Sequence, residues 1–467
     1  MRHVTTLSLG ALFFLVAGCG GGGGKSDPRT TSAAVGSQAP TPAPAPGPAP
    51  APAPSTTAYD PPWANVAATR VIRLDRDAAL SDAQNGDRLV TALRALVPGD
   101  RLEVGGGTWS IDRYLDLVLS GTAAAPIWIV AQQGATPVLT RPDASQNVLN
   151  LGVAGPVAYV CLRGLEVTGG SALVRLYQCS NVWLDRCHLH HNAEAALTAN
   201  TANTDHLYIT RNEIHHTGGT GEGMYLGGNN GAVVMRDSVI ALNHVHDCGG
   251  TQGDGIEVKQ GSHGNRIVEN HVHDTNYPCI TVYGTGGQAR NVIERNVLYR
   301  SNDNVLQVQG EAIVRNNLLI AGAGSGFHSH DHQGQTLELT VVHNTIVTAG
   351  RGMNLSSWSN RANLVLANNA IFSQSGDAVT FPGGSVGVVV SGNVALGRVT
   401  GYAGPGVSAA RALTDLTDVA YDASRRDARP VAGSPLVGAG DAAHAAQNDI
   451  AGAARSGAVD AGCLEAP

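Results

Sequence analysis

The chain has 467 residues, of which 14% are charged and 4% aromatic, and a formal net charge of −7. It carries no basic stripe interleaved with aromatic residues, which argues against a nucleic-acid partner. Roughly 400 residues follow the N-terminal region, long for one compact core but natural for a chain that grows by adding coils.

Arg2 and His3 precede an apolar run from Leu7 to Val16, too short to span a bilayer as a stable helix and placed like the apolar part of a secretory signal. The run ends in Val16-Ala17-Gly18-Cys19, which resembles a bacterial lipobox. The resemblance implies cleavage before Cys19 and lipidation of its thiol, so residues 1–19 form a lipoprotein signal peptide. The mature chain is then membrane-attached through lipid without spanning the bilayer. An ordinary signal peptide with an incidental cysteine is the plainer alternative. Gly20, rather than Asp, follows the cysteine and points by the bacterial sorting rule to the outer membrane. Residues 20–58 read as a tether: a glycine run, then Ala-Pro alternation from Pro40 to Pro54. Proline lacks the amide donor and fixes φ, so this stretch is an extended spacer.

Within Asp87 to Val97, Leu89, Val90, Leu93 and Leu96 have helical spacing, and Pro98-Gly99 stops the helix. Such a helix caps the open end of a first coil and protects its strand edges. Short strands are predicted at Arg101–Val104, Ile127–Val130 and Pro137–Leu139. Eight asparagines then recur: Asn212, Asn243, Asn270, Asn296, Asn316, Asn344, Asn369 and Asn393. An aliphatic residue lies two places after each of the first seven, and Ala395 follows the last. A repeat of roughly 26 residues cannot bury its apolar face alone and must stack into a solenoid. The asparagines are expected to point inward at a bend, bonding each other and the turn backbone.

Pro98-Gly99-Asp100, Gly106-Gly107-Thr108-Trp109 and Ser120-Gly121-Thr122 with Pro126-Ile127 resemble the entry segment of bacterial, pectate-lyase-like right-handed parallel β-helix proteins. The ending, Gly433-Ser434-Pro435-Leu436 through Val459-Asp460-Ala461-Gly462, resembles their terminal segment. The resemblance implies an all-β fold, a single-stranded right-handed parallel β-helix over residues 59–400 with an N-terminal helix cap. We expect ten to twelve coils and an irregular capping segment over residues 401–467, in a monomer.

His190, His215, His246 and His273 share one position of successive coils, with Tyr299 next; His191, His216, Asp247, Asp274 and Arg300 follow them. Such a column reads as a ladder on a turn, each ring bonding a carbonyl or the Asp beside it, with metal binding as the alternative. Cys161, Cys179, Cys187, Cys248, Cys279 and Cys463 permit disulfides in an exported chain, and Cys179–Cys187 and Cys248–Cys279 are candidate pairs. No Cys-x-x-Cys is present.

The third strands of the coils are the most polar. Period-2 alternation places Met224, Ile256, Ile280, Leu306, Phe327 and Met353 inside and leaves two outward columns. One holds Tyr225, Glu257, Thr281, Gln307, His328 and Asn354; the other holds Gly227, Lys259, Tyr283, Gln309, His330 and Ser356. Strands about 4.8 Å apart would make these one continuous polar strip, suited to an extended polar polymer. A solvated sheet face is the plainer reading, but Lys259 is the only lysine after the tether.

Asp254-Gly255-Ile256-Glu257-Val258-Lys259 with Ser262 and Asn265 resembles a core motif of the alginate lyase and chondroitinase B family of polysaccharide lyases. The resemblance implies a Ca²⁺-holding acid five places before a lysine that acts as base, matched by Asp254 and Lys259. Gln252 stands where the family has a second acid, and Tyr283 follows the strand where it has an arginine. β-Elimination from a uronic acid requires the carboxylate charge offset, the C5 proton removed and the leaving oxygen protonated. The candidate assignments are Lys259 as base and Tyr283 as acid or second base. Tyr225, Gln307, Gln309, His328 and His330 line the subsites, and Asp254 and Glu257, with Glu222, could hold Ca²⁺. The expected partner is an acidic polysaccharide. Two alternatives stand: a non-catalytic glycan-binding or structural β-helix, and a glycoside hydrolase, for which Asp254 and Glu257 are the only carboxylate pair near the strip.

Overall fold

The computed structural model describes residues 58–467. The expected signal peptide, Cys19 and the expected tether up to residue 57 lie outside the described residues. From Arg70 onward, short parallel strands wind through about 13 turns, each strand hydrogen-bonded to its equivalents one turn before and after. The expected ten to twelve coils fall short because the asparagine repeat marks only the middle. The strand Arg70–Leu74, ahead of the helix, already pairs with Asp100–Val104 as a full turn.

Register explains why the coils stack. On the first face Leu102, Ile129, Leu162, Leu184, Ile209 and Ile240 lie directly above one another, facing inward and buried. Fully burying such a side chain is worth about 1.5–3 kcal/mol, a gain one isolated coil cannot make. A second face carries a similar column, Leu189, Ile214, Val245, Val272 and Leu298. A third face is built from the three- to five-residue strands between Met224 and Leu355.

The cap helix, α1, spans Asp82–Arg94. It begins five residues before the apolar spacing suggests, because Ser81 and Gln84 form a reciprocal capping box that supplies two orphan end donors with acceptors. Leu89, Val90 and Leu93 enter the core at the open end. Gly86 lets the helix touch the strand Gly107–Ser110, since a Cβ there would sit 1.7 Å from the Ser110 carbonyl oxygen.

The asparagine ladder turns the chain from the first face to the second. The Asn243 side chain donates to the Asn270 carbonyl oxygen at 3.0 Å and to the Ile209 backbone oxygen at 2.8 Å. Its own oxygen accepts from the Asn212 backbone N–H at 3.0 Å. Every buried polar atom of the amide is therefore paired, and the column continues through Asn296, Asn344, Asn369 and Asn393. One expected member is displaced. Asn317, not Asn316, occupies the ladder, accepting from Asn296 and donating to Asn344. Asn316 takes the left-handed position just before it (φ 56°), as Arg211, Leu242 and Glu269 do in earlier coils. Adjacent asparagines satisfy both requirements, and spacing alone could not separate them. A second, shorter ladder links Asn265 to Asn291 at another corner.

Two terminal segments pack onto the solenoid. Residues 59–66 cross the outside of the first face: Trp63 packs edge-on against Trp128 (5.6 Å) and Trp183 (5.9 Å), and the Tyr59 hydroxyl donates to Glu269 at 2.7 Å. After Gly401, Tyr402 packs on Phe381 at the end of the helix. The chain then returns along the second face, where Leu416, Val419, Ala428 and Leu436 bury Tyr299, Ile320, Val347 and Phe372.

All six described cysteines are free and buried, so the candidate disulfides do not form. Cys179 starts the strand Cys179–Asp185 and Cys187 lies two residues past its end, so the extended backbone holds them apart. Opposite Cys248 in the next coil stands Thr275 rather than Cys279.

Candidate active site

The third face has the register expected for it. Met224, Ile256, Ile280, Leu306, Phe327 and Met353 are fully buried. Outward, Tyr225, Glu257, Thr281, Gln307, His328 and Asn354 stand opposite one another in unbroken succession. The column also extends towards the N-terminus through Asp116, Asn150, Arg175 and Thr198. Those coils precede the asparagine repeat, so no register was available in the sequence to place them.

A cavity of about 410 Å³ opens on this face around Tyr225, Glu257, Lys259, Tyr283, Gln307 and His332. Lys259 is 5% exposed, and its ammonium lies 4.6 Å from the Tyr225 ring centre and 5.1 Å from that of Tyr283. It donates a short hydrogen bond to Glu257 Oε1, to which the Tyr283 hydroxyl also points at 3.4 Å. Two rings and a carboxylate thus enclose one cation, with both attractions strengthened by burial.

A roof covers this end of the strip. The Asn230 N–H donates to Gln333 Oε1 at 3.2 Å, joining loops 103 residues apart. Gly334 lies so close to Gln309 that a Cβ would be 2.7 Å from Nε2. Gln309, expected to line a subsite, is instead 4% exposed, and its side chain accepts from the Gly284 N–H at 3.4 Å beneath this loop. His332, which borders the cavity with its ring 5.3 Å from Tyr283, was not singled out from the sequence. It stands in the irregular loop after the strand, where period-2 alternation no longer applies. His328 and His330 face each other at 4.5 Å, and the Nδ1 of each is buried without a protein partner.

The protonation states follow from these contacts. Burial alone would lower the Lys259 pKa, but the Glu257 charge and hydrogen bond outweigh it and raise the value above the usual lysine range. The base role expected for Lys259 needs the opposite shift, so in this arrangement the residue is a cation and proton donor. Burial, then the charges of Glu257 and Asp254, pushes Tyr283 well up and keeps it a phenol. Burial and then the Lys259 charge lower His332, leaving a neutral imidazole able to accept a proton. Burial, then His330, lowers His328 to about 4.

Asp254, Glu257 and Glu222 offer oxygen donors of the kind Ca²⁺ takes. Asp254 accepts from the Thr281 hydroxyl at 2.5 Å, and burial, then Glu257, raises its pKa well above the carboxylate range. Glu222 is likewise raised by burial. Glu257 is already committed to Lys259, and the carboxylates do not converge: among the described residues, the clusters of three close ligand atoms all lie on the histidine-bearing second face. The cavity does not present a ready calcium shell. Glu257 is bound to Lys259 and Asp254 to the Thr281 hydroxyl, so neither is free to serve in the carboxylate pair that hydrolysis requires.

A family model described as a right handed beta helix region matches residues 153–297. The structure of XylC in complex with xylose superimposes with a TM-score of 0.60 at 10% identity, covering 84% of this chain and 98% of that one. The chain folds as a right-handed parallel β-helix. The pectate lyase Pel9A (TM-score 0.49, 16% identity, 86% and 98% covered) is similar in the same way. So is an alginate lyase from Paenibacillus sp. str. FPU-7 (0.38, 17%, 59% and 99%). No curated protein matches the sequence. At these identities the likeness is one of fold, and function has to be argued from the site.

Proposed function

We propose that this protein is a bacterial envelope lipoprotein that binds an acidic polysaccharide along its third face and cleaves it by β-elimination. The observation that carries the proposal is the buried Lys259, the only lysine of the folded domain, set between two tyrosines on a continuous column of hydrogen-bonding side chains. Lys259, held protonated, offsets the substrate carboxylate and acidifies the C5 proton. His332, held neutral, accepts that proton, and the C5 electron pair forms the C4=C5 double bond as the C4–O bond breaks. Tyr283, held as a phenol, protonates the leaving oxygen. Tyr225, Gln307, His328 and His330 line the subsites, while Gln309 supports the roof. Lipidation at Cys19 would hold the domain at the outer membrane.

A non-catalytic glycan-binding face is the second reading, favoured by one observation: Glu257 already neutralises Lys259, the one lysine of the domain. Incubation with a panel of uronic acid polymers, with added calcium or chelator, separates the two. Unsaturated, ultraviolet-absorbing ends support elimination, and retention of a polymer without any product supports binding alone.

A further inference from the structure

On the second face, His190, His215, His246 and His273 stack in register, with successive ring planes 6°, 17° and 10° apart. Two residues earlier on the same strands runs a column absent from the sequence-based expectation: His188, Glu213, His244 and His271. The columns lean together. Nε2 of His188 lies 2.7 Å from Nε2 of His215, and Nε2 of His244 lies 2.9 Å from Nε2 of His273. Ring nitrogens face each other this closely when one carries a proton and the other offers a lone pair, so each pair holds a nitrogen lone pair directed at its neighbour. From Tyr299 onward this face is largely apolar and roofed by the C-terminal segment, whereas the histidine stretch stays open, with the His188 and His244 side chains 38% and 40% exposed.

We propose that this wall binds divalent transition-metal ions of the zinc class, with its principal seat at His244, His271 and His273. One ring nitrogen from each lies within 4.8 Å of the others. Zinc bonds imidazole nitrogen at about 2.0–2.1 Å, which puts two tetrahedral ligands about 3.3 Å apart, so a small ring rotation opens the 2.9 Å pair to fit. The outer contacts point the same way. Nδ1 of His273 lies 2.6 Å from the Asp274 carboxylate, which Arg300 Nε clamps at 2.7 Å. A carboxylate there takes the Nδ1 proton's hydrogen bond and leaves the Nε2 lone pair aimed at His244. Carboxylate partners orient metal-binding histidines in this way. Two coils earlier along the wall, Glu213 joins His188 and His215 in a second cluster of the same kind. Donor sets dominated by imidazole suit zinc, copper and nickel rather than calcium or magnesium. The wall lies on a different face from the Lys259 cavity, so this inference is independent of the cavity's chemistry.

The test uses the full chain, stripped with chelator, titrated with Zn²⁺ by calorimetry and with Co²⁺ by visible spectroscopy. Saturable binding of at least one equivalent and a d–d spectrum of imidazole-bound Co²⁺ are expected on the unaltered chain. His244→Gln with His273→Gln should abolish the tightest binding, and Asp274→Asn should weaken it about 10- to 100-fold. The remote His444→Gln should leave it unchanged. No saturable binding by the unaltered chain, or equal affinity in the folded double variant, would overturn the proposal. The cobalt spectrum is read without any substitution, so a misfolded variant cannot imitate either result.

Discussion

Replacing Asn317 by Ala tests the ladder and its corrected register together. The Asn317 oxygen accepts from the Asn296 backbone N–H at 3.0 Å and from the Asn296 side chain at 2.9 Å. Its amide donates to the Ile293 carbonyl at 3.0 Å and to Asn344 at 2.9 Å. On truncation the Asn296 side chain keeps its bond to Ile267, and the Asn344 oxygen keeps the Asn317 N–H. The Asn296 N–H loses its acceptor at a fully buried position. One orphaned buried donor costs about 1–3 kcal/mol, and the weakened neighbours bring the expected loss to about 2–4 kcal/mol. Asn316→Gly preserves the left-handed backbone and gives up only bonds to Asn448 and Arg455 in the C-terminal segment, for about 1 kcal/mol. Urea unfolding followed by far-ultraviolet circular dichroism should show a clearly lower midpoint for Asn317→Ala than for Asn316→Gly, at unchanged slope. Equal midpoints, or the reverse order, would refute the account of the ladder.

Four further outcomes follow from buried groups. Glu257→Gln removes the two largest contributions that raise Lys259 and leaves burial opposed only by Tyr225, so the lysine pKa should fall; carbon-13 methylation of the domain's single lysine reads this by NMR, and an unchanged value would show that Glu257 does not hold the cation. Because folding raises the Lys259 pKa above 10.5, its stabilising contribution is complete below that pH and disappears as pH rises through the folded value; the wild type should therefore lose more stability than Lys259→Met in alkaline titration. The six buried cysteines, with Cys248 and Cys279 pushed up to about 12 by burial, should resist maleimide in the native state and all label after denaturation without reductant. Trp63→Ala should cost about 3–5 kcal/mol by emptying the space between Trp128 and Trp183, measured by the same unfolding assay.

Much of the frame was legible because parallel stacking converts sequence period into spatial register. Tyr225, Glu257, Thr281, Gln307 and His328 align in sequence because each follows an apolar residue that must face inward. What escaped depends on contacts between distant segments or on irregular backbone. The roof joining Asn230 to Gln333, the burial of Gln309 and the approach of His332 to Tyr283 all arise in loops with no period to read. The His188 and His244 column escaped for another reason: Glu213 stands between them in register, so this outward position carries no unbroken run of histidines. The charge state of Lys259 depended on whether Glu257 turns towards it, which side-chain geometry alone decides.

The most direct measurement of the central claim is the formation of unsaturated uronate ends by the wild type, Lys259→Ala, His332→Ala and Tyr283→Phe on one polymer that the wild type binds. The account predicts ultraviolet-absorbing product from the wild type and a loss of at least about 100-fold in each variant, with binding retained by Tyr283→Phe. Undiminished product from Lys259→Ala, or no product from the wild type on any uronate polymer with or without calcium, would contradict it.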